Sequence, residues 1–331
     1  MMDVMRVAVV GTGVMGRLFA RLLTELPNAC LCGVADIILE KATLVSEEHG
    51  IPAFSNARDL LEQVDADAVV IATPETEHLE PACEAAQAGK PILLEKPLAA
   101  SSAQAHKIVQ VVADANVPLM VAHCIRFDSR YAAARAAIRD GDLGEVVHLA
   151  ARRNGLLTGA QRNAGCCSVS MYLGVHDIDY MLWATGRRVT QVYAMGHQRL
   201  LEEFGVDDSV VSVLRFDDGT IATLETSWIA SVPSWQFEAV GTRGVLHIAT
   251  PELGTVRHGV DGFQAANPLY SFEPLPGGQT LNVYRAELMH FLECLAKGRP
   301  FIVQPEEALM AVSVAEAIDR SVASGQAEIP E

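Results

Sequence analysis

The amino-acid sequence predicts an α/β chain: a doubly wound parallel sheet first, then an α+β domain with an open, mostly antiparallel sheet. Three observations predict it. Over residues 1–122, short Val-, Ile- and Leu-rich runs alternate with helical stretches, as strands buried on both faces of a parallel sheet require. Beyond residue 123, alternating strand-like runs come in sequence, flanked by helices, as in an α+β domain built on a mostly antiparallel sheet. Between the first strand and the first helix lies a glycine-rich turn.

Taken in order, the first-domain strands are Arg6–Val10, Cys30–Ala35, Ala68–Ala72, Ile92–Glu95 and Pro118–Ala122, each too short and too uniformly apolar for a solvent-facing strand. Helices fall at 14–26, 38–49, 78–88 and 101–115; Gly50 and Gly89 stop the second and third, and Ser101 and Ser102 are candidate caps for the fourth. The second domain opens with a helix over Ser129–Arg139. Strands follow at Val146–Ala151, Val189–Met195, Ser209–Phe216, Thr220–Ser227, Trp235–Val240 and Gly244–Ile248, with Asp217-Asp218-Gly219 turning one hairpin. Residues 251–280, rich in Pro and Gly, read as a long loop, and helices at 282–297 and 305–323 close the chain. The expected domains are 1–122 and 123–331.

Composition bounds the partners. The chain has 331 residues, half of them apolar, which is enough for two domain cores. Its net charge of −16 disfavours nucleic acid and anionic membranes, since no basic patch offsets it. No apolar run reaches the ~18 residues of a membrane span, and the N-terminus lacks signal-peptide features. Seven scattered cysteines without Cys-x-x-Cys spacing point to reduced thiols in the cytoplasm and to no metal site.

Gly11-Thr12-Gly13-Val14-Met15-Gly16 matches G-x-G-x-x-G between a strand and a helix, and Asp36 ends the next strand about 20 residues on. In such a turn the first glycine allows the bend, the second lets backbone approach a pyrophosphate, and the third lets helix pack on strand. Helix-start amides then bind the anion. Asp36 would accept from the adenosine ribose hydroxyls and repel a 2′-phosphate, which favours NAD over NADP. The alternatives at this point are a turn with no ligand or an S-adenosylmethionine site. Glu95-Lys96-Pro97 ends the fifth strand at the edge where ligands bind. An ammonium there can stabilise alkoxide charge on a substrate oxygen; an exposed turn lysine is the plainer reading.

Thr73-Pro74 followed by His78, Gly89-Lys90-Pro91 and Glu95-Lys96-Pro97 resemble the glucose–fructose oxidoreductase/inositol dehydrogenase/MocA (Gfo/Idh/MocA) family. So do Arg126-Phe127, Gly141-x-x-Gly144-Glu145-Val146, His176-Asp177-Ile178-Asp179, Asp217-Asp218-Gly219 and Gly241-Thr242-Arg243-Gly244, and the resemblance runs the length of the chain. It implies an N-terminal Rossmann domain and an open C-terminal sheet used in homodimer or homotetramer contacts. It also implies NAD(P)-dependent oxidation or reduction of sugars, inositols and related cyclic polyols. The cofactor residues it implies are Gly11, Thr12, Gly13, Val14, Met15, Asp36, Thr73, Pro74, His78, Glu95 and Lys96, with NAD as cofactor and NADP as second candidate.

Tyr172, His176 and Asp179 stand at i, i+4 and i+7, so one helical face would present all three. An imidazole with a pKa near ~6.5 suits proton transfer at neutral pH. His176 therefore takes the hydroxyl proton in the expected mechanism, with Lys96 stabilising the oxygen; a histidine satisfied by Asp177 or Asp179 is the bland alternative. Inositol dehydrogenases of the family place aspartate four residues before this histidine, and this chain has Tyr172, read either as a proton-handling pocket residue or as packing. Asp179 resembles a family residue that contacts polyol hydroxyls. Arg126 is a substrate or cofactor candidate, and Arg152, Arg153 and Asn154 are candidates for the pocket mouth. Cys166-Cys167 reads as packing. Two competing functions are a redox-neutral NAD-dependent glycoside hydrolase, which would accumulate no NADH, and a dinucleotide sensor without turnover.

Overall fold

The computed structural model describes residues 4–163, 166–249, 257–260 and 279–331. Its chain divides into two compact units, Met1–Cys124 with Thr280–Leu309, and Ile125–Gln279 with Met310–Glu331. The sequence reading has a single break at 122/123; the structure instead groups most of the penultimate helix with the N-terminal unit.

In the first unit, β1 (Met5–Val10), β2 (Ala29–Ala35), β3 (Ala53–Phe54), β4 (Ala68–Ile71), β5 (Ile92–Glu95) and β6 (Leu119–Ala122) form one sheet in the order β3-β2-β1-β4-β5-β6. Every neighbouring pair is parallel. Strand order reverses beside β1, where β2 lies on one side and β4 on the other, and this is the crevice at which such sheets bind ligands. The intervening helices are α1 (Val14–Glu25), α2 (Leu39–His49), α3 (Ala57–Gln63), α4 (Leu79–Gln87) and α5 (Ser102–Asp114). Gly50 ends α2 at φ +68°, with its amide donating to Ser46 O. The Ser101 hydroxyl caps α5 by accepting from Gln104 N, while Ser102 is already helical.

β3 and α3 lie outside the sequence reading. A two-residue strand offers no periodicity, and α3 depends on a local cap in which Asn56 accepts from Asp59 N at 2.8 Å.

The second unit contains α6 (Ser129–Arg139), β7 (Val146–Asn154), α7 (Leu157–Asn163), a π-helical turn at Ser170–Gly174 and α8 (Val175–Thr185). Then come β8 (Val189–His197), β9 (Ser209–Phe216), β10 (Ile221–Ser227), β11 (Ser234–Gly241), β12 (Gly244–Ala249) and β13 (Arg257–Val260). The sheet runs β13-β12-β11-β7-β10-β9-β8, antiparallel throughout except where β7 and β10 pair in parallel. Within the expected 251–280 loop, β13 is a strand paired with β12; most of that stretch lies outside the described residues. Helices α9 (Gln279–Lys297) and α10 (Pro305–Ser324) end the chain.

Alternation divides the second sheet cleanly. Val192, Val210, Leu214, Ala222, Leu224, Leu149 and Phe237 are buried, whereas Tyr193, Met195, Val211, Val213 and Ile221 on the opposite face of β8, β9 and β10 are exposed. On the buried side, the Tyr180 and Tyr131 rings meet edge-on at 4.7 Å between centroids, and Phe237 meets Tyr180 edge-on at 4.8 Å. The Tyr180 hydroxyl donates to Tyr131 O at 2.9 Å. This cluster fixes α6 and α8 against β11. Replacing Phe237 with Ala should therefore cost about 3–5 kcal/mol, read as a lower denaturant midpoint for the second unit's tryptophan fluorescence.

Candidate active site

Sterics build the first part of the site. Gly11 has φ +87°, and a Cβ there would lie 2.6 Å from Ala72 O; a Cβ on Gly16 would lie 1.7 Å from Gly11 O. Both positions require glycine. Gly13 is different, because a Cβ there would meet nothing within 4 Å. The open space over Gly13, at the amide end of α1, is the cradle that a pyrophosphate needs. Val14 is exposed and Met15 is half-buried beside it.

Asp36 is locked to this turn. Its Oδ2 accepts from Thr12 N at 2.8 Å and from the Thr12 hydroxyl at 2.9 Å, while its Oδ1 accepts from Ile38 N at 2.9 Å. The carboxylate is thus oriented before any ligand arrives, with lone pairs remaining for ribose hydroxyls. The neighbouring Ile37 is 85% exposed and offers no cation for a 2′-phosphate. The residues present fit NAD.

Thr73 and Pro74 follow β4, where Thr73 is half-buried and Pro74 exposed. His78 is fully enclosed, its Nε2 3.1 Å from Thr73 O and its Nδ1 3.4 Å from Leu98 O. Burial lowers its pKa, so the ring is neutral and donates a single hydrogen bond. Its observed contacts brace the loops after β4 and β5 against each other. Glu95, the last residue of β5, is buried; its Oε2 accepts from Lys96 N at 3.1 Å. Burial pushes its pKa up to about 7 against the opposing pull of Lys96.

The substrate candidates belong to the second unit. Tyr172 lies in the π-helical turn, whereas His176 and Asp179 lie in α8. The expectation of one continuous helical face is therefore modified, since the wider turn changes the angular step before α8 begins. The Tyr172 ring packs at 5.1 Å on Trp228. Ser168 anchors the turn: its oxygen accepts from Met171 N at 3.0 Å and its hydroxyl donates to Asp319 at 2.6 Å.

Asp179 and Arg126 are both fully buried, with Arg126 Nε 3.0 Å from Oδ2 and Nη2 2.6 Å from Oδ1. Asp177 is held in the same way by Arg153, at 2.5 and 3.1 Å. Asp177 is therefore a partner of Arg153. Arg153 is thereby drawn inward, while Arg152 pairs on the outer surface with Glu225 at 2.7 Å. Sequence reasoning did not single out Trp228, Asp319 or Glu287. Only Glu287 left a legible signal, as an acid on the apolar stripe formed by Tyr284, Leu288 and Phe291.

Comparison with known proteins matches residues 5–123 to the oxidoreductase family with an NAD-binding Rossmann fold, and residues 131–247 to the GFO/IDH/MocA C-terminal domain. The scyllo-inositol 2-dehydrogenase (NAD(+)) of Bacillus subtilis is 30% identical over 97% of this chain and 94% of its own length. The myo-inositol 2-dehydrogenase of Thermotoga maritima is 26% identical over 96% of each chain. Among solved structures, the scyllo-inositol dehydrogenase of Lactobacillus casei with bound NAD(H) and scyllo-inositol superposes with a TM-score of 0.86 at 22% identity, over 99% of both chains.

The glycine geometry separates folding from binding. Gly13→Ala should fold normally and weaken NAD at least tenfold, about 1.4 kcal/mol, by calorimetry or cofactor fluorescence. Gly16→Ala should instead destabilise the first unit by about 3 kcal/mol, seen as a lowered thermal midpoint. Equal stability loss in both variants would contradict the assignment of Gly13 to the cradle.

Proposed function

The chain belongs to the Gfo/Idh/MocA family of NAD-dependent oxidoreductases, and on that premise we propose that it oxidises a secondary alcohol of an inositol, sugar or related cyclic polyol. The observation that carries this reading is the end-to-end likeness to inositol dehydrogenases, joined to the presence here of Lys96 and His176.

Bound NAD supplies the hydride acceptor. The protein's own part begins with holding it: amides at the start of α1 bind the pyrophosphate over Gly13, and Asp36 accepts from the ribose hydroxyls. Lys96, at the carboxyl end of β5, places an ammonium where it can stabilise oxyanion charge on the substrate. His176 removes the hydroxyl proton during oxidation and returns it during reduction. Tyr172 lines the polyol site and contributes a phenolic hydrogen bond. Asp179 and Arg126 hold each other through two parallel bonds in the interior of the second unit, which fixes the helix that carries His176.

The exposed face carrying Tyr193, Met195, Val211, Val213 and Ile221 supports a homodimer or homotetramer through the second sheet, because five apolar side chains on adjacent strands form a patch rather than scattered exposure. No helix among the described residues is long and apolar enough to cross a membrane. All seven cysteines are unbridged.

The test is a screen of inositols, aldoses and their derivatives with NAD and NADP, followed by absorbance of reduced cofactor. Sustained NADH formation with at least one cyclic polyol is expected; substrate cleavage without net NADH would defeat the dehydrogenase reading. His176→Ala should lower kcat by about 10²–10⁴-fold with little change in NAD affinity, and Lys96→Met should lower kcat by about 10²–10³-fold. Asp36→Ala should erode the preference for NAD over NADP, and an unchanged cofactor ratio would remove that residue from selectivity.

A further inference from the structure

Three buried carboxyl oxygens of the first unit, one on Glu95 and two on Glu287, play no part in the chemistry above. Glu287, in α9, is 0% exposed, and neither of its oxygens has a hydrogen-bond partner among the described residues. Glu95 is 7% exposed, and among the described residues only its Oε2 is engaged, by Lys96 N. Both acids belong to the first unit, and they feel each other: burial and the Glu95 charge together raise the Glu287 pKa well above the carboxylate range.

Tyr284, one turn earlier on α9, is raised by Cys124, by burial and by both glutamates. The groups around the pair are therefore Lys96 at the end of β5, Cys124 just past β6 and Tyr284 on α9, with His123 buried on the same edge. Two buried carboxyls that feel each other's charge do not both ionise near neutral pH. Glu287 keeps its proton and Glu95 titrates, so the pair carries one negative charge above neutral pH and none below it.

The position of that charge gives it a function. A dinucleotide spans the crevice of such a sheet, with one nucleotide over each half. Asp36 marks the adenosine half on β2, so the nicotinamide lies over the half formed by β4, β5 and β6. The oxidised ring is a cation and the reduced ring is neutral. An ionised carboxylate under that half stabilises the first and is indifferent to the second.

We propose that the Glu95–Glu287 pair is a proton-linked selector between the two forms of the cofactor, favouring NAD⁺ when ionised and losing that preference when protonated. The inference rests on the NAD assignment and adds the residues that distinguish its redox states. The sign follows from linkage: the carboxylate is present above a pKa of about 7 and lost as pH falls through it. NAD⁺ binding must then expel a proton near neutrality, whereas NADH binding expels almost none.

Titration calorimetry of the full chain at pH 7, in two buffers of different ionisation enthalpy, counts those protons. A fractional proton released with NAD⁺ and nearly none with NADH is expected, and the ratio of NAD⁺ to NADH dissociation constants should rise about three- to tenfold from pH 8 to pH 6. Glu95→Gln should flatten that ratio. Glu287→Gln, which keeps a neutral side chain at that place, should keep the dependence and leave its midpoint nearly unchanged. No proton release by the unmodified protein, or a pH-dependent ratio that survives Glu95→Gln, overturns the proposal while leaving the cofactor assignment standing. Failure to bind either nucleotide would overturn both.

Discussion

The close approach of α1 to β1 is the constraint on which the first unit is organised. It exists because positions 11 and 16 have no side chain: a methyl group at either would overlap backbone, at Ala72 in one case and at Gly11 itself in the other. With the helix seated this tightly, its first amides open onto the crevice beside β1. The same turn is tied to both flanking strands, since Gly11 N donates to Ala35 O at 2.8 Å and Ala72 N donates to Val10 O at 2.7 Å. Asp36 then closes the arrangement by accepting twice from Thr12. The open amides are thus a consequence of backbone packing, and Asp36 is held in place by the same turn.

The second unit is organised around charge rather than close backbone contact. Asp177 and Asp179 flank Ile178 on α8 and reach arginines from distant parts of the chain, Arg153 on β7 and Arg126 just after β6. Removing these ions from water costs several kcal/mol each, and the bidentate geometry of both pairs offsets that cost while fixing angles as well as distances. Such pairs do little for stability compared with well-packed apolar residues. Their value here is registration: α8 cannot rotate or slide without breaking four charge-assisted bonds, so His176, immediately before Asp177, is carried on a helix of fixed rotation. The π-helical turn before it is pinned separately through Ser168 and Asp319.

How much of this was legible in the sequence depended on whether the information was local. The five longer strands of the first sheet and its G-x-G-x-x-G turn were readable because burial on both faces and tight turns each leave a mark within a few residues. The hairpin at Asp217–Gly219 was readable for the same reason, with Gly219 at φ +91°. β3 was not, being two residues long. The π-helical turn was hidden because one widened turn inside a helical pattern keeps its apolar positions nearly in place. The arginine–aspartate pairs join residues 24 and 53 positions apart, and no periodicity reports a contact at that range. The grouping of α9 with the first unit was likewise invisible, and with it the meaning of Glu287.

The net charge of −16 and the binding of an anionic dinucleotide appear to conflict only if charge is averaged over the chain. At the glycine turn the attraction comes from oriented amides, whose partial charges do not enter a residue count. Arg17, one turn into α1, directs its Nε at Thr12 O at 3.1 Å and adds a cation at the same end of the helix. Asp36, 24 residues beyond Thr12 in sequence, is tied to the same turn by two bonds from that threonine. Open amides and an oriented carboxylate therefore stand close together while remaining separate groups. A net charge averages over the whole surface, whereas the local field at the turn is built from backbone dipoles and a handful of placed ions.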